Sequence, residues 1–214
     1  YFPVPIRHGM TAGEIALLHN DTVKNPKLQI VKMTGWTRAM WFNETGLPWT
    51  PPSPNMPTLG AAALYPGIGC FEASNISVGR GTPWPFRWIG APWMDAQAIV
   101  DRLKKENLAG IEFSVEEHTP TKSVFEGVAC QGVRMKVLDT ESLRPLEVFL
   151  HLATALRDRH PGQFKWKWDE EIKMTGTEGF RKLYESKVCA EEIIKMFNRG
   201  PKEFQEIRKP YLLY

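Results

Sequence analysis

Tryptophan and proline are concentrated in one part of this chain, which limits how much of that part can be regular. Six of the eight tryptophans lie between Trp36 and Trp93, and nine of the seventeen prolines lie between Pro48 and Pro92. Proline fixes its own backbone and disfavours a helix at the preceding residue. Residues 34–57 show no helical or strand period, so we expect a long ordered loop there. We expect most tryptophans to fill the core under such loops and one or two at most to face a ligand.

The composition excludes several classes of function. The net charge is +3 and the basic residues are dispersed, so we expect no nucleic-acid partner. No run of 18 or more apolar residues exists, so we expect no membrane span. No two histidines are four residues apart, so we expect no metal site, and we expect no cofactor. The sequence opens at Tyr1 without a methionine, which indicates a processed or truncated product. We expect buried free thiols at the three widely spaced cysteines, Cys70, Cys130 and Cys189.

The second half of the chain has the clearer periods. Apolar residues recur at helical spacing in 94–106 and 145–159, and they alternate with polar residues in 111–115 and 133–137. Alternation is typical of strands with one face in water, hence of antiparallel or mixed pairing. We therefore predict a mixed α/β fold with such a sheet flanked by helices. Weaker signals predict helices at 11–20, 58–64, 177–186 and 189–198, strands at 28–33 and 85–90, and an apolar tail that docks on the body.

The most polar stretch is CFEASNISVGRGT, residues 70–82, which we expect to follow a buried strand end at Gly69-Cys70-Phe71. It offers the carboxylate of Glu72, the amide of Asn75 and the guanidinium of Arg80 between two glycines. Dense polar groups after a strand are typical of a binding site, although the same residues also serve ordinary turns. Carboxylates, amides, arginine and tryptophan together favour glycoside chemistry. No GxGxxG, Walker A or GxSxG motif occurs.

Five stretches in order along the chain are specific enough to indicate a family. They are PIRHGMTAGEIA, MTGWTRAMWF, TGLPWTPPSPNMPTL, YPGIGCFEASNISVGRGTPWPFRWIGAPW and the ending RKPYLLY. Together they resemble the NamZ-type exo-β-N-acetylmuramidases, glycoside hydrolase family 171. The resemblance covers essentially all 214 residues. One departure is Ala73, where the family more often has glycine.

The resemblance implies an enzyme that releases terminal N-acetylmuramic acid from the non-reducing end of peptidoglycan fragments. It implies a bacterial protein that is periplasmic or secreted. It also implies a Rossmann-like N-terminal half before the start of this chain, holding most of the catalytic glutamates in Pro-Glu-His-Gly and Glu-Gly-Pro motifs. Neither motif occurs here, so residues 1–214 would be one C-terminal domain that supplies one wall of an interdomain cleft. Within it, residues 1–93 would form the cleft and residues 94–214 the regular part.

The resemblance also points to the residues that would line this cleft. Glu72 is the best carboxylate in this half for acid/base or orienting work, although a salt bridge to Arg80 explains it equally simply. Arg80 is the first choice for gripping the lactyl carboxylate of muramic acid, and Arg38 is the second. The remaining substrate-binding candidates are Arg7, His8, Trp36, Asn55 and Asn75.

Two other classes of function stay open at this point. A non-catalytic carbohydrate-binding module would use the same tryptophans and arginines. A binder of anions or phosphate esters would use Arg7, His8 and the helix that begins near Thr11. Glu14 lies three residues after Thr11 and has a sufficient structural role in a capping box.

Overall fold

The computed structural model describes residues 4–214, apart from the side chain of Arg199. The chain forms two compact units. We call residues 1–49 with 197–214 the terminal unit, and residues 50–196 the central unit. These units are defined by contacts within this chain. They do not test whether residues 1–214 form one C-terminal domain of a longer protein, which stays a prediction.

The regular elements of residues 4–214 are eight α-helices and three strands. The helices are α1 (Ala12–Val23), α2 (Leu59–Ile68), α3 (Ala96–Lys105), α4 (Pro145–Arg159), α5 (Trp168–Thr175), α6 (Gly179–Glu185), α7 (Ala190–Phe197) and α8 (Arg199–Arg208). The strands are β1 (Trp88–Ala91), β2 (Ile111–His118) and β3 (Cys130–Val137).

The central unit contains a three-stranded antiparallel sheet in the order β1-β3-β2. Phe113 of β2 pairs with Met135 of β3, and both side chains are buried. Helix α3 packs on β2 and β3 and buries Ile99 and Val100. The predicted mixed α/β fold with an antiparallel sheet and helices is therefore confirmed.

Helix α4 is the main buried element of the central unit. Ten of its fifteen residues are buried, and Pro145 occupies its first turn, where a missing N–H costs nothing. Helix α2 packs against it so closely that a Cβ at Gly67 would lie 1.9 Å from the carbonyl oxygen of Pro145. This contact requires glycine at position 67 and fixes where α2 ends, just before the polar stretch.

The terminal unit is built from both ends of the chain. Thr11 and Glu14 form the predicted capping box at the start of α1. Met10, Leu18 and Phe204 form a small core, and Tyr211 and Leu212 pack against it. Docking of the apolar tail is thus confirmed. Within residues 4–214, no helix has both the length and the apolar character needed to cross a bilayer.

Three local predictions are wrong. Residues 28–33 form no strand, and Val31 is 94% exposed, because this run pairs with no neighbouring strand. Gly69-Cys70-Phe71 belongs to a 3-10 turn, Gly69–Ala73, that continues directly from α2. An apolar run this short fits a strand and a helix equally well. Cys189 is exposed, whereas Cys70 and Cys130 are buried as expected.

Candidate functional site

Residues 70–82 begin with the 3-10 turn and end with one tight turn over residues 79–82 that contains two glycines. The 3-10 turn carries Glu72. Gly79 and Gly81 have φ values of 82° and 79°, and a Cβ at Gly79 would lie 2.4 Å from the carbonyl oxygen of Trp84. Both the backbone conformation and the lack of space exclude other residues at position 79. This tight turn holds Arg80 between its two glycines.

Glu72 and Arg80 form an ion pair. Nε and Nη2 of Arg80 lie 2.8 and 2.7 Å from the same oxygen, Oε1 of Glu72. The two side chains are 23% and 30% exposed, respectively. Neither Nη1 of Arg80 nor Oε2 of Glu72 makes a hydrogen bond within residues 4–214. The ion pair therefore uses Nε and Nη2 of Arg80 and Oε1 of Glu72. It leaves Nη1 as a donor and Oε2 as an acceptor for a ligand.

The two asparagines of the predicted site have structural bonds. Nδ2 of Asn75 donates to the carbonyl of Gln163, and Oδ1 accepts from the backbone N–H of Lys165, both at 2.8 Å. The side-chain amide of Asn75 thus connects the polar stretch to the segment before α5. Both of its polar atoms are already hydrogen-bonded, so it has little remaining capacity to bind a ligand. The backbone N–H of Asn55 donates to Oγ of Ser53 at 3.4 Å.

In the terminal unit, Arg38 is paired with a buried carboxylate. Its guanidinium donates to Glu14, whose side chain is completely buried, and to the carbonyl of Gly9. Glu14 also accepts from the backbone N–H groups of Thr11 and Leu213, both at 2.7 Å. Burial alone would raise the pKa of Glu14, but these donors outweigh it and lower the pKa. Arg38 therefore holds this unit together, and its role toward a substrate carboxylate stays a prediction.

The other predicted residues of the terminal unit lie near its surface. Nδ1 of His8 accepts from the backbone N–H of Met10 at 3.1 Å. Trp36 packs edge-on against Tyr214, with ring centres 5.1 Å apart. Arg7 is exposed. The predicted residues are thus divided between the units: Glu72 and Arg80 are brought together in the central unit, and Arg38 has Glu14 as its partner.

The sequence reasoning missed an arginine pair in the central unit. The guanidinium carbons of Arg134 and Arg87 lie 3.8 and 5.0 Å from the ring centre of Trp84. Burial lowers the pKa of Arg134 to about 10, and the nearby positive charge of Arg87 adds to this. Nε of Arg87 is buried without a hydrogen-bond partner among the described residues. The only sequence signal for this pair was Arg87 between aromatic residues in PWPFRW. That signal does not reveal that Arg134 of β3 lies beside it.

A cluster of aromatic side chains borders a cavity of about 720 Å³, a volume that would accept a saccharide. Trp166 stacks on Phe71 with ring centres 5.6 Å apart and planes 9° from parallel. Trp166, Trp168 and Tyr184 line the cavity together with Arg157 and Lys187. The predicted sugar-facing tryptophans lay between Trp36 and Trp93, so this aromatic wall was also missed.

Glu171 is a second carboxylate that the sequence did not single out. It is 1% exposed, and its Oε1 has no hydrogen-bond partner among the described residues. Burial raises its pKa, opposed by Thr175 and by the charge of Arg181. Helix α5, which carries it, packs on the 3-10 turn that carries Glu72. A buried carboxyl group with a raised pKa therefore lies in the element next to the Glu72–Arg80 pair.

Comparison with known proteins decides which family these features belong to. The family model described as "Exo-beta-N-acetylmuramidase NamZ, C-terminal" matches residues 63–214. The chain belongs to the NamZ family. A second NamZ model, described as "N-terminal", matches residues 1–60. The boundary between the two NamZ models falls at the start of α2, close to where the central unit begins.

A curated NamZ protein and two solved structures resemble the whole chain. The peptidoglycan beta-N-acetylmuramidase NamZ of Bacillus subtilis (strain 168) is 36% identical, over 100% of this chain and 52% of its own length. Two DUF1343 family proteins from Bacteroides fragilis NCTC 9343 cover 100% of the chain. The first has a TM-score of 0.91 and is 26% identical, and the match covers 58% of its chain. The second has a TM-score of 0.73 and is 28% identical, and the match covers 57% of its chain. This chain thus spans about half the length of the proteins that it matches.

Proposed function

We propose that this chain is part of an exo-β-N-acetylmuramidase, which releases terminal N-acetylmuramic acid from the non-reducing end of peptidoglycan fragments. The observation that supports this most is the 36% identity over the whole chain to a protein named peptidoglycan beta-N-acetylmuramidase. Because the chain spans 52% of that relative, the proposal concerns the protein that contains this chain.

In this proposal the Glu72–Arg80 pair contacts the sugar. Muramic acid carries a lactyl carboxylate, and Nη1 of Arg80 is the donor that the ion pair leaves unused. A charge-assisted hydrogen bond to that carboxylate contributes about 1.5–3 kcal/mol. Glu72 then orients Arg80, and its Oε2 accepts a hydrogen bond from a sugar hydroxyl. Glycosidases need two carboxylic groups around the bond, and the second would come from elsewhere in the protein.

The finer parts of the proposal follow from the family resemblance. A Rossmann-like N-terminal half would supply the opposite wall of the cleft and the main catalytic glutamates. The protein would act on cell-wall fragments in the periplasm or outside a bacterial cell. Asn55, Asn75, Trp36, Arg38, His8 and Arg7 remain candidates for lining the cleft.

An assay of sugar release tests the enzymatic proposal. The 214-residue chain and a version extended with a NamZ N-terminal half would be incubated with a muramyl-terminated peptidoglycan disaccharide. We expect the extended protein to release N-acetylmuramic acid and the 214-residue chain to release almost none. No release by the extended protein would overturn the enzymatic function. Efficient release by the 214-residue chain would overturn the need for a second half.

A second candidate function is sugar binding without catalysis, which the aromatic cavity beside Trp166 and Trp168 favours. Thermal unfolding of the chain with N-acetylmuramic acid, N-acetylglucosamine or phosphate separates the possibilities. The muramidase proposal requires preference for the lactyl sugar. Equal shifts with both sugars would favour a binding module, and a shift with phosphate alone would favour an anion binder.

A further inference from the structure

Three helices of the central unit bring metal-binding side chains to one point. Glu106 caps the C-terminal end of α3, His151 lies in α4, and Glu191 lies in the first turn of α7. One ligand atom from each residue lies within 4.8 Å of the other two. The three residues are separated by 45 and 40 positions in the sequence, so no local motif announces the cluster. A metal site built from residues this far apart leaves no histidine spacing in the sequence.

The histidine of this cluster is buried and lacks a hydrogen bond. The side chain of His151 is 8% exposed. Its Nδ1 lies 3.7 Å from Oε2 of Glu106, beyond hydrogen-bond distance, and its ring makes no hydrogen bond to any residue that the structure describes. The ring thus has a charged neighbour in Glu106 but no hydrogen-bond partner among the described residues, which leaves its nitrogens available to a metal ion.

The donor set matches a divalent transition metal. One imidazole nitrogen and two carboxylate oxygens are a common set for Zn²⁺, with bonds of about 2.0–2.2 Å. Ligand atoms of a tetrahedral site with such bonds lie about 3.4 Å apart. The distance of 3.7 Å between Nδ1 of His151 and Oε2 of Glu106 is close to that spacing. The neighbouring cation, Arg102, is bound to Asp158 at 2.8 Å. The charge of Arg102 is thus shared between Asp158 and Glu191.

We propose that Glu106, His151 and Glu191 bind one divalent transition-metal ion, Zn²⁺ being the best fit, and that the ion fastens α7 to α3 and α4. His151 provides a buried ligand, Glu106 is partly buried, and the exposed Glu191 closes the site from the solvent side. An ion can therefore enter without unfolding the unit. Three protein ligands leave a fourth position for water. The proposal does not depend on the muramidase function.

Calorimetric titration of the chelator-treated protein with ZnCl₂ tests the proposal. We expect one ion per chain and a higher melting temperature with zinc. Removing a ligand should weaken binding at least about a hundredfold, since even outer-shell changes cost 10–100-fold. Glu191→Gln is the main variant because its side chain is exposed and its loss leaves the core intact. His151→Ala is the second, with circular dichroism confirming its fold.

Two matched controls make the result decisive. Glu192→Gln changes the next residue, an exposed carboxylate paired with Lys195 at 2.6 Å, and should bind zinc as the unchanged protein does. Cys189→Ser replaces an exposed thiol that hydrogen-bonds Glu191 by a hydroxyl that can make the same bond, and it should also leave zinc binding intact. Binding lost in Cys189→Ser but kept in Glu191→Gln would overturn the ligand set. Absence of any zinc binding by the unchanged protein would overturn the site.

Discussion

At the scale of single residues, each arginine that is predicted to bind a substrate carboxylate is already paired with a carboxylate of this chain. Arg80 is paired with Glu72 and Arg38 with Glu14. The difference between them is burial, because Glu14 is fully enclosed whereas Glu72 is 23% exposed. A ligand can share the exposed pair more cheaply than the enclosed one. Arg80 is therefore the better of the two proposed carboxylate receptors.

Replacing Arg80 by alanine should lower kcat/KM for muramyl substrates about ten- to a hundredfold in the extended protein, because one charge-assisted hydrogen bond is lost. Arg80→Lys should recover little, since an ammonium cannot hold Glu72 and a ligand in one plane. Weak binding of N-acetylglucosamine, which lacks the lactyl group, should hardly change. Arg87→Ala is the matched control. If Arg87→Ala alone causes the loss, the carboxylate receptor is the arginine pair on Trp84.

Replacing Glu171 by glutamine should make stability less dependent on pH. Burial raises the pKa of Glu171 in the folded state above the unfolded value of about 4.5, so its ionisation opposes folding. Protonated Glu171 therefore contributes to the free energy of unfolding. This contribution is fully present below the unfolded pKa and is lost as the pH rises through the folded pKa. A tenfold difference in the acid dissociation constant between the folded and unfolded states corresponds to about 1.4 kcal/mol of stability.

Denaturant unfolding between pH 4 and pH 8, that is on either side of the unfolded pKa of about 4.5, measures this effect. The unchanged protein should lose more stability over this range than Glu171→Gln does. Glu170→Gln is the control, because Glu170 is 54% exposed and pairs only with Lys167 at 3.5 Å. Identical pH profiles for the protein and Glu171→Gln would show that folding does not raise the pKa of Glu171.

At the scale of elements, the sequence predicts what is local and repetitive. Helix α4 begins and ends where its apolar period and Pro145 predict, and β2 and β3 lie where apolar residues alternate. Residues 28–33 show the limit of such local prediction. A strand needs a partner strand to pair with, and the residues around 28–33 do not reveal whether one is present. The arginine pair on Trp84 shows the same limit for the site, because Arg87 and Arg134 meet only through the pairing of β1 with β3.

Gly67→Ala should destabilise the central unit by about 1–3 kcal/mol, because the new methyl group would overlap the backbone of Pro145 and force α2 away from α4. Gly60→Ala, in the same helix, is the matched control. Its Cβ would lie 3.5 Å from Nε of Arg87, an ordinary contact, and alanine favours a helix. Chemical denaturation compares the two, and equal stability of both variants would contradict the close packing of α2 on α4.

At the scale of the whole molecule, the two units differ in how they use the chain. The central unit is one continuous segment, whereas the terminal unit combines residues 1–49 with 197–214. Glu14 accepts from the N–H of Leu213, and Tyr214 accepts from the N–H of Met33. The family motifs at the two ends are thus parts of a single structure, which their separation in the sequence does not suggest.

Removing residues 209–214 should loosen the terminal unit and spare the central one. The deletion takes away Tyr211 and Leu212 from the small core and one of the donors to the buried Glu14. Hydrogen exchange should become faster in α1 and stay unchanged in β3 and α4. Unchanged protection of α1 would show that the tail contributes nothing to the stability of this unit.

The arrangement of the terminal unit also sets an order of events during protein synthesis. The contacts within the central unit need no residue beyond Met196, so they can form before residues 197–214 are in place. Helix α1 emerges much earlier, yet Glu14 must wait for Leu213. Until then the nascent chain exposes the apolar face around Met10 and Leu18, a surface that chaperones would recognise. Helix α1 is therefore among the last elements of this chain to complete its native contacts.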